Sequence, residues 1–243
     1  DKRPVQDKIA EALPWSIFMG LLSFFIAYMI AIPLGVYCVR NRNTWKDRGV
    51  STFLFLLFSI PSFVMAMLVM TFLCNPEFLY LFPTSGVSSD GAENWPFWER
   101  ALDYAYHLTL PTLVFSYTGV AFLSRQMRVA MLDTVDRDYI RTARSKGVSE
   151  RKIIWRHALR NSILPIITHF ASLLPHIISG SVILESIFAI PGIGRLAIQA
   201  TLSYDHPVLL AILTLAGIFT LLGILISDIL YAVADPRISF TKS

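Results

Sequence analysis

Between residues 137 and 160 the chain carries Arg137, Arg141, Arg144, Lys146, Arg151, Lys152, Arg156 and Arg160 against only Asp138 and Glu150, and long apolar runs lie on both sides. A basic segment between two membrane-length apolar runs is a cytoplasmic loop. The runs beside it are then crossings of a bilayer and not core helices of a soluble domain. Composition agrees, because a hydrophobic content of 54% exceeds the roughly 45 to 50% of soluble domains. A mean hydropathy of +0.56 points the same way. A soluble chain of 243 residues would hold one large or two ordinary domains; this one reads as an all-α polytopic membrane protein. The net charge of +4 is assigned to membrane orientation and a cytoplasmic partner, since nucleic-acid binding would need a basic face on a soluble domain.

Apolar runs place five spans, at about 15–39, 52–74, 108–124, 163–184 and 207–231. The short loop Arg40 to Arg48 holds four basic residues and one acid, which puts it inside. Residues 75–107 carry Glu77, Asp90, Glu93, Glu99 and Asp103 with scattered aromatics, Pro, Gly and Ser. That mixture reads as a partly ordered external loop with interfacial aromatics. Residues 125–162 form the inner loop, residues 232–243 an inner tail, and residues 1–14 an external segment without a signal-peptide pattern. Counting five crossings back from an inner C-terminus leaves Asp1 outside, so a further span is expected upstream, and the first residue is not Met.

Residues 185–206 are apolar but broken at Pro191, Gly192 and Gly194, which suggests a re-entrant or interfacial element. Cys38 and Cys74 fall near opposite ends of successive spans, about 30 Å apart across the hydrocarbon, too far for a disulfide. Two unpaired thiols are expected, and neither has metal-ligand spacing.

The basic loop also has internal order. Gly147 splits it into two helix-compatible pieces, with Ser149 placed to cap the second. In that second piece Ile153, Ile154, Ala158 and Leu159 share a face opposite the arginines. The run Tyr139-Ile-Arg-Thr-Ala-Arg-Ser-Lys-Gly147-Val-Ser-Glu-Arg151, followed by Arg156-His-Ala-Leu-Arg-Asn161 and Leu164-Pro165, resembles the cytoplasmic "EAA" loop of ABC-importer permeases. The form is closest to that of the oligopeptide, dipeptide and nickel class. Residues Glu185, Phe188, Pro191-Gly192 and Gly194 are similar to a pattern the family carries after its fifth helix.

The resemblance implies a type I importer permease fold, with five of six transmembrane helices visible and a cytoplasmic coupling helix. It implies that Asp138, Tyr139, Arg141, Thr142, Ala143, Arg144 and Gly147 dock onto an ATPase. Physically, Ala143 allows close approach, Gly147 permits the turn, and the arginines suit charge-assisted bonds. A generic positive-inside loop would explain the charge but not the glycine-centred order. The family's Glu-Ala-Ala is Arg141-Thr142-Ala143 here, which favours the peptide subclass and removes the glutamate.

No glycine-rich phosphate loop ending in Gly-Lys-Ser/Thr is present, so the chain is expected to bind no cofactor and to be no enzyme; ATP and Mg belong on partner subunits. The implied partners are a second homologous permease subunit, two ATPase subunits and an extracytoplasmic solute-binding protein, in a bacterial or archaeal inner membrane. Peptide is the first expected substrate, then nickel or a metal chelate, then an oligosaccharide.

On the fourth span His169, Ser172, His176, Ser179 and Gly180 form one polar stripe. Such a stripe avoids lipid, and it either lines part of the solute pathway or makes ordinary interhelical hydrogen bonds. The two histidines stand about 10 Å apart along the axis and do not by themselves ligate one ion. Glu185 and Asp228 near span ends read as interfacial or paired groups. An ion-coupled secondary transporter would need embedded acids and no docking loop, and a membrane scaffold would make the polar stripe and the Pro191 break dispensable.

Overall fold

The computed structural model of the chain describes residues 3–168 and 181–234, and these are helical, with no strand among the described residues. In order they form α1 (Val5–Arg40), α2 (Trp45–Ser59), α3 (Ser62–Leu73), a 3-10 turn (Ala92–Asn94), α4 (Phe97–Val135) and α5 (Asp138–Ser145). There follow α6 (Glu150–Lys152), a π-helical stretch (Ile153–Ala158), α7 (Leu159–Ser162), α8 (Leu164–Thr168), α9 (Val182–Ile187), α10 (Ile193–Leu202) and α11 (His206–Ala234).

The helices gather into two compact units. The first comprises Asp1–Phe25, Ile60–Thr118 and Pro175–Phe219. Its interior has two apolar clusters, one around Met19, Ala66, Cys74, Leu108, Val114 and Phe188 and one around Ala12, Ile193, Ala200 and Val208. Lys8 Nζ donates to Asp205 Oδ2 at 2.8 Å, which ties the start of α1 to the turn before α11. The second comprises Ile26–Ser59, Gly119–Leu174 and Thr220–Ser243. One cluster fills it, with Val36, Leu54, Met127, Met131, Ile140, Ile153 and Ala158 at its centre.

Among the described residues two helices, α1 and α11, are long and apolar enough to cross a membrane, and a third crossing is counted if α2 and α3 are one span. The expected spans therefore change in detail. The run at 52–74 is not a straight helix: α2 and α3 meet at 95°. Pro61 is the physical reason, since a proline disfavours helix in the residue before it and cannot donate to the preceding turn. The span expected at 108–124 is only the middle of α4, whose 39 residues extend about 58 Å. Residues 97–107, read as external loop, and 125–135, read as inner loop, are helical. α1 begins at Val5, inside the expected external segment, and α2 begins at Trp45, inside the expected inner loop. The run at 185–206 resolves into the end of α9, a turn and α10. Most of the fourth span, 169–180, and the tail beyond 234 lie outside the described residues.

Polar groups on α4 are satisfied locally, which lets it run past its apolar middle. Thr109 Oγ1 donates to the Ala105 carbonyl at 2.6 Å and Thr134 Oγ1 to the Ala130 carbonyl at 2.8 Å. Ser89 donates to Asp103 through its amide (2.8 Å) and hydroxyl (2.7 Å), so the 75–96 loop is fixed to the first turns of α4. Burial pushes the Asp103 carboxyl up, but the Ser89 bonds and the neighbouring His107 outweigh it and hold the group below the usual range.

Candidate functional site

α5 is eight residues of mostly polar sequence, too short to be stable alone. One side chain seats it. Ile140 is fully buried in the cluster formed by the end of α4 and the π-helical stretch, with Val135, Met131, Ile153 and Ala158. Ala143, one turn later, is half-buried against the same cluster, and its small size lets the helix lie close. Asp138, Tyr139, Arg141, Thr142 and Arg144 are exposed, as are Ser145 and Lys146. The helix thus presents a polar, largely cationic surface from a fixed apolar seat.

Both ends of α5 are defined by backbone geometry. Arg137 is extended at the N-terminus, and its carbonyl receives the Ile140 amide at 3.0 Å. At the C-terminus Gly147 has φ of +75°, and the Val148 amide reaches back to the Ala143 carbonyl at 3.1 Å while the Gly147 amide bonds Arg144 O at 2.9 Å. A left-handed residue is what this closure requires, and glycine adopts it without a Cβ penalty. Ser149 stands at the start of α6, although its hydroxyl makes no capping bond.

Two polar links join α5 to the following helices. Arg144 donates to Glu150 through Nε at 2.6 Å and Nη2 at 3.4 Å. Asn161 Nδ2 donates to the Tyr139 hydroxyl at 2.7 Å. Beneath them Ser162 Oγ donates to Thr134 Oγ1 at 2.8 Å, fixing α7 on α4. Among the described residues Arg141 makes only a long 3.6 Å pairing with exposed Asp138, so its guanidinium faces solvent. Ile140, Glu150 and Asn161 were not singled out by the sequence reading. Ile140 had a visible signal, as the only branched aliphatic residue in a polar helix.

A second built feature lies in the first unit, around Glu185. This carboxylate is 1% exposed. Ser16 Oγ donates to its Oε1 at 3.0 Å and itself accepts the Ile193 amide at 2.8 Å, while the Arg195 amide donates to Oε2 at 3.0 Å. A Cβ on Gly192 would stand 2.5 Å from the Glu185 carboxyl and 2.6 Å from Ser16 Oγ, and one on Gly194 would stand 3.0 Å from Oε2. Gly192 is therefore required because backbone closes directly onto the carboxylate, and Gly194 because it closes onto the Val182 backbone, whose nitrogen a Cβ would meet at 2.7 Å, as well as onto Oε2. Arg195 Nη1 completes the turn by donating to the Ala189 carbonyl at 2.8 Å. Glu185 is buried and held by hydroxyl and amide hydrogen bonds, with no ion pair among the described residues, whereas Asp228 on α11 is exposed.

His169, Ser172, His176 and Ser179 lie outside the described residues. Among the described residues no three of His, Cys, Asp and Glu gather as a metal site. Cys38 and Cys74 are both free and buried. His107 and Ser89 both approach Asp103, but the serine hydroxyl is bound to the carboxylate and not to the imidazole, so this group orders a loop and activates no nucleophile.

Residues 31–240 match the family described as "Binding-protein-dependent transport system inner membrane component". The chain belongs to that family. It is 38% identical over 238 residues to the oligopeptide transport system permease protein AppB of Bacillus subtilis (strain 168), covering 98% of this chain and 73% of that protein. It is 38% identical over 236 residues to the inner membrane ABC transporter permease protein YejB of Escherichia coli O157:H7, covering 96% of this chain and 64% of that one. With the dipeptide transport system permease protein DppB of Bacillus subtilis (strain 168) it shares 32% identity over 98% of its length and 72% of the relative's. In fold it is similar to a chain of the inward-facing MetNI methionine ABC transporter, with a TM-score of 0.76, 16% identity, and coverage of 97% of this chain and 100% of that one. The chain is thus an ABC-importer permease of the inner membrane, helical as the type I importer permeases are.

Proposed function

We infer that the chain forms half of the membrane pathway of a peptide importer. α5 is the element through which separate ATPase subunits drive it. The reading is carried by the α5 geometry: a cationic, solvent-facing helix held by buried Ile140 and closed at Gly147, stiff enough to pass a push from a docked partner to α4 and the 153–162 helices. The peptide permeases among its relatives support peptide as the substrate. In this scheme Asp138, Tyr139, Arg141, Thr142 and Arg144 meet the ATPase, Ala143 allows close contact, and Gly147 sets the exit of the chain. The α5 loop and the C-terminal tail are cytoplasmic. A second permease subunit completes the pathway, and a solute-binding protein delivers substrate from the other side.

The test is co-purification of the full-length subunit in mild detergent, with ATPase activity and peptide uptake measured on what is recovered. The expected result is a phosphate-loop ATPase that is lost from the double variant Arg141→Glu, Arg144→Glu while the permease remains in the membrane. A subunit that purifies alone and takes up peptide without ATP would overturn the reading.

A further inference from the structure

A cavity of about 370 Å³ opens within the second unit, between the end of α1, the α2 face carrying Ser51, Phe55 and Phe58, and the α4 residues Ser124, Arg125 and Arg128. Three observations give it a chemistry. First, it is net cationic: Arg128 is engaged by Asp47, Nε to Oδ1 at 2.8 Å and Nη2 to Oδ2 at 2.7 Å, which cancels one charge, while Arg125 has no carboxylate partner among the described residues. Second, Ser124, only 1% exposed, lines this cavity, and its hydroxyl, itself shielded from solvent, has no hydrogen-bond partner among the described residues. A buried hydroxyl left unpaired is costly, and an acceptor entering the cavity relieves it. Third, the opposite wall is aromatic and open, with Phe55 61% and Phe58 50% exposed.

The position along the helices selects the ligand. Cys38 lies two residues before the end of α1 at Arg40, and Arg125 stands where the apolar run of α4 gives way to charge. That is headgroup depth, where an anionic oxygen and an acyl chain arrive together. We propose that this cavity is a binding site for the phosphate of an anionic phospholipid, held by Arg125 and the Ser124 hydroxyl, with the Arg128–Asp47 pair forming a charge-balanced wall and the acyl chains lying along Phe55 and Phe58. The proposal rests on the chain's being a membrane permease, and places the site in the leaflet that faces the α5 loop. Clusters of basic side chains between helices at that depth recognise anionic headgroups by charge and by donor geometry.

The experiment is native mass spectrometry of the full-length protein released from detergent and titrated with phosphatidylglycerol or phosphatidylcholine of matched chains. The expected result is tighter binding of phosphatidylglycerol, weakened about fivefold by Arg125→Gln, the effect of one basic residue near an anionic surface. Arg125→Lys should restore most of the preference, and Ser124→Ala should weaken it by a smaller factor without altering phosphatidylcholine binding. Equal affinity for the two lipids, or a preference untouched by Arg125→Gln, overturns the proposal. So does displacement of phosphatidylglycerol by a free peptide carboxylate, which would make the cavity part of the solute path. None of these readouts uses ATP or transport, so failure here leaves the importer reading standing, and loss of ATPase co-purification leaves the lipid site standing.

Discussion

The Glu185 turn and the α5 loop both hold irregular backbone in a defined shape, and they do it by opposite means. At Glu185 the polar group is inside: a carboxylate 1% exposed gathers the Ser16 hydroxyl and the Arg195 amide, and the chain folds onto it through Gly192 and Gly194. At α5 the polar groups are outside, and the apolar Ile140 is the anchor. The difference follows from solvent. A buried carboxylate whose donors have no water to fall back on makes each lost bond costly, whereas exposed ion pairs are screened and contribute little. Shape at Glu185 is thus set by hydrogen bonding and shape at α5 by packing, which leaves the α5 charges at the solvent-facing surface.

The largest effect expected is at Glu185. Glu185→Ala removes the acceptor for two buried donors, at about 1 to 3 kcal/mol each, and leaves a cavity as well. Thermal unfolding of the purified protein should fall by several degrees or the protein should fail to accumulate. Glu185→Gln, which keeps one acceptor oxygen, should recover part of the loss. A neutral Glu185→Ala would erase the contrast between the two regions. Ile140→Ala comes next, at about 3 kcal/mol for a fully buried branched side chain. It should loosen α5 and lower peptide-driven ATPase activity more than the removal of any one exposed residue on the helix.

Asp47 is an intermediate case, since its side chain is buried while that of Arg128 is 30% exposed. The Arg128 guanidinium holds the Asp47 carboxyl below its usual value against the opposing pull of burial, with the Asn43 amide and Ser51 hydroxyl assisting. A depressed carboxylate contributes stability that is fully present above the unfolded value, near 3.9, and is lost as pH falls through the folded value. The stability difference between the protein and its Asp47→Asn variant should therefore be constant from pH 7 to about 5 and shrink below pH 4. A difference that grew on acidification would reverse the assignment. Gly147→Val is smaller again, about 1 to 2 kcal/mol for forcing a branched residue to φ near +75°. Its Cβ would meet no atom within 4 Å, so the cost is conformational and falls on the exit of α5.

The two regions were not equally legible in the sequence. The α5 loop could be read because its signals are local: charge density, a glycine at the break, and a recurring apolar face lie within one short stretch. Ile140 was visible there too, but its weight as the anchor depends on Met131 and Val135 from another helix. The Glu185 turn depends on Ser16, 169 positions away, and no pattern along the chain links the two. An acid near a span end looks interfacial until its distant partner is known. The same limit hid the 95° bend at Pro61, because hydropathy is blind to direction, and the full length of α4, because threonines and Asp103 look like loop residues when their backbone and Ser89 partners are unseen.

The smallest effect on stability is expected where the effect on function is expected to be large, at Arg144 and Glu150. Their bond is short, 2.6 Å at Nε, but both side chains are well exposed, 42% and 60%. Exposed pairs are worth about 0.2 to 1 kcal/mol, so Glu150→Gln should move the unfolding temperature by a degree or two at most. The pair nevertheless decides where the Arg144 guanidinium points, since a guanidinium released from its carboxylate can turn toward another acceptor. Arg144→Met and Glu150→Gln should then part company. The first removes a cation from the docking face and should lower ATPase association severalfold, whereas the second frees that cation and should leave association equal or stronger. Pull-down of the ATPase at two salt concentrations separates them, because a contact made by Arg144 weakens with salt and one made by packing does not. If both substitutions weakened association alike, the Arg144–Glu150 link would be part of the docking surface itself, and α5 would resemble the Glu185 turn in being held by its polar groups after all.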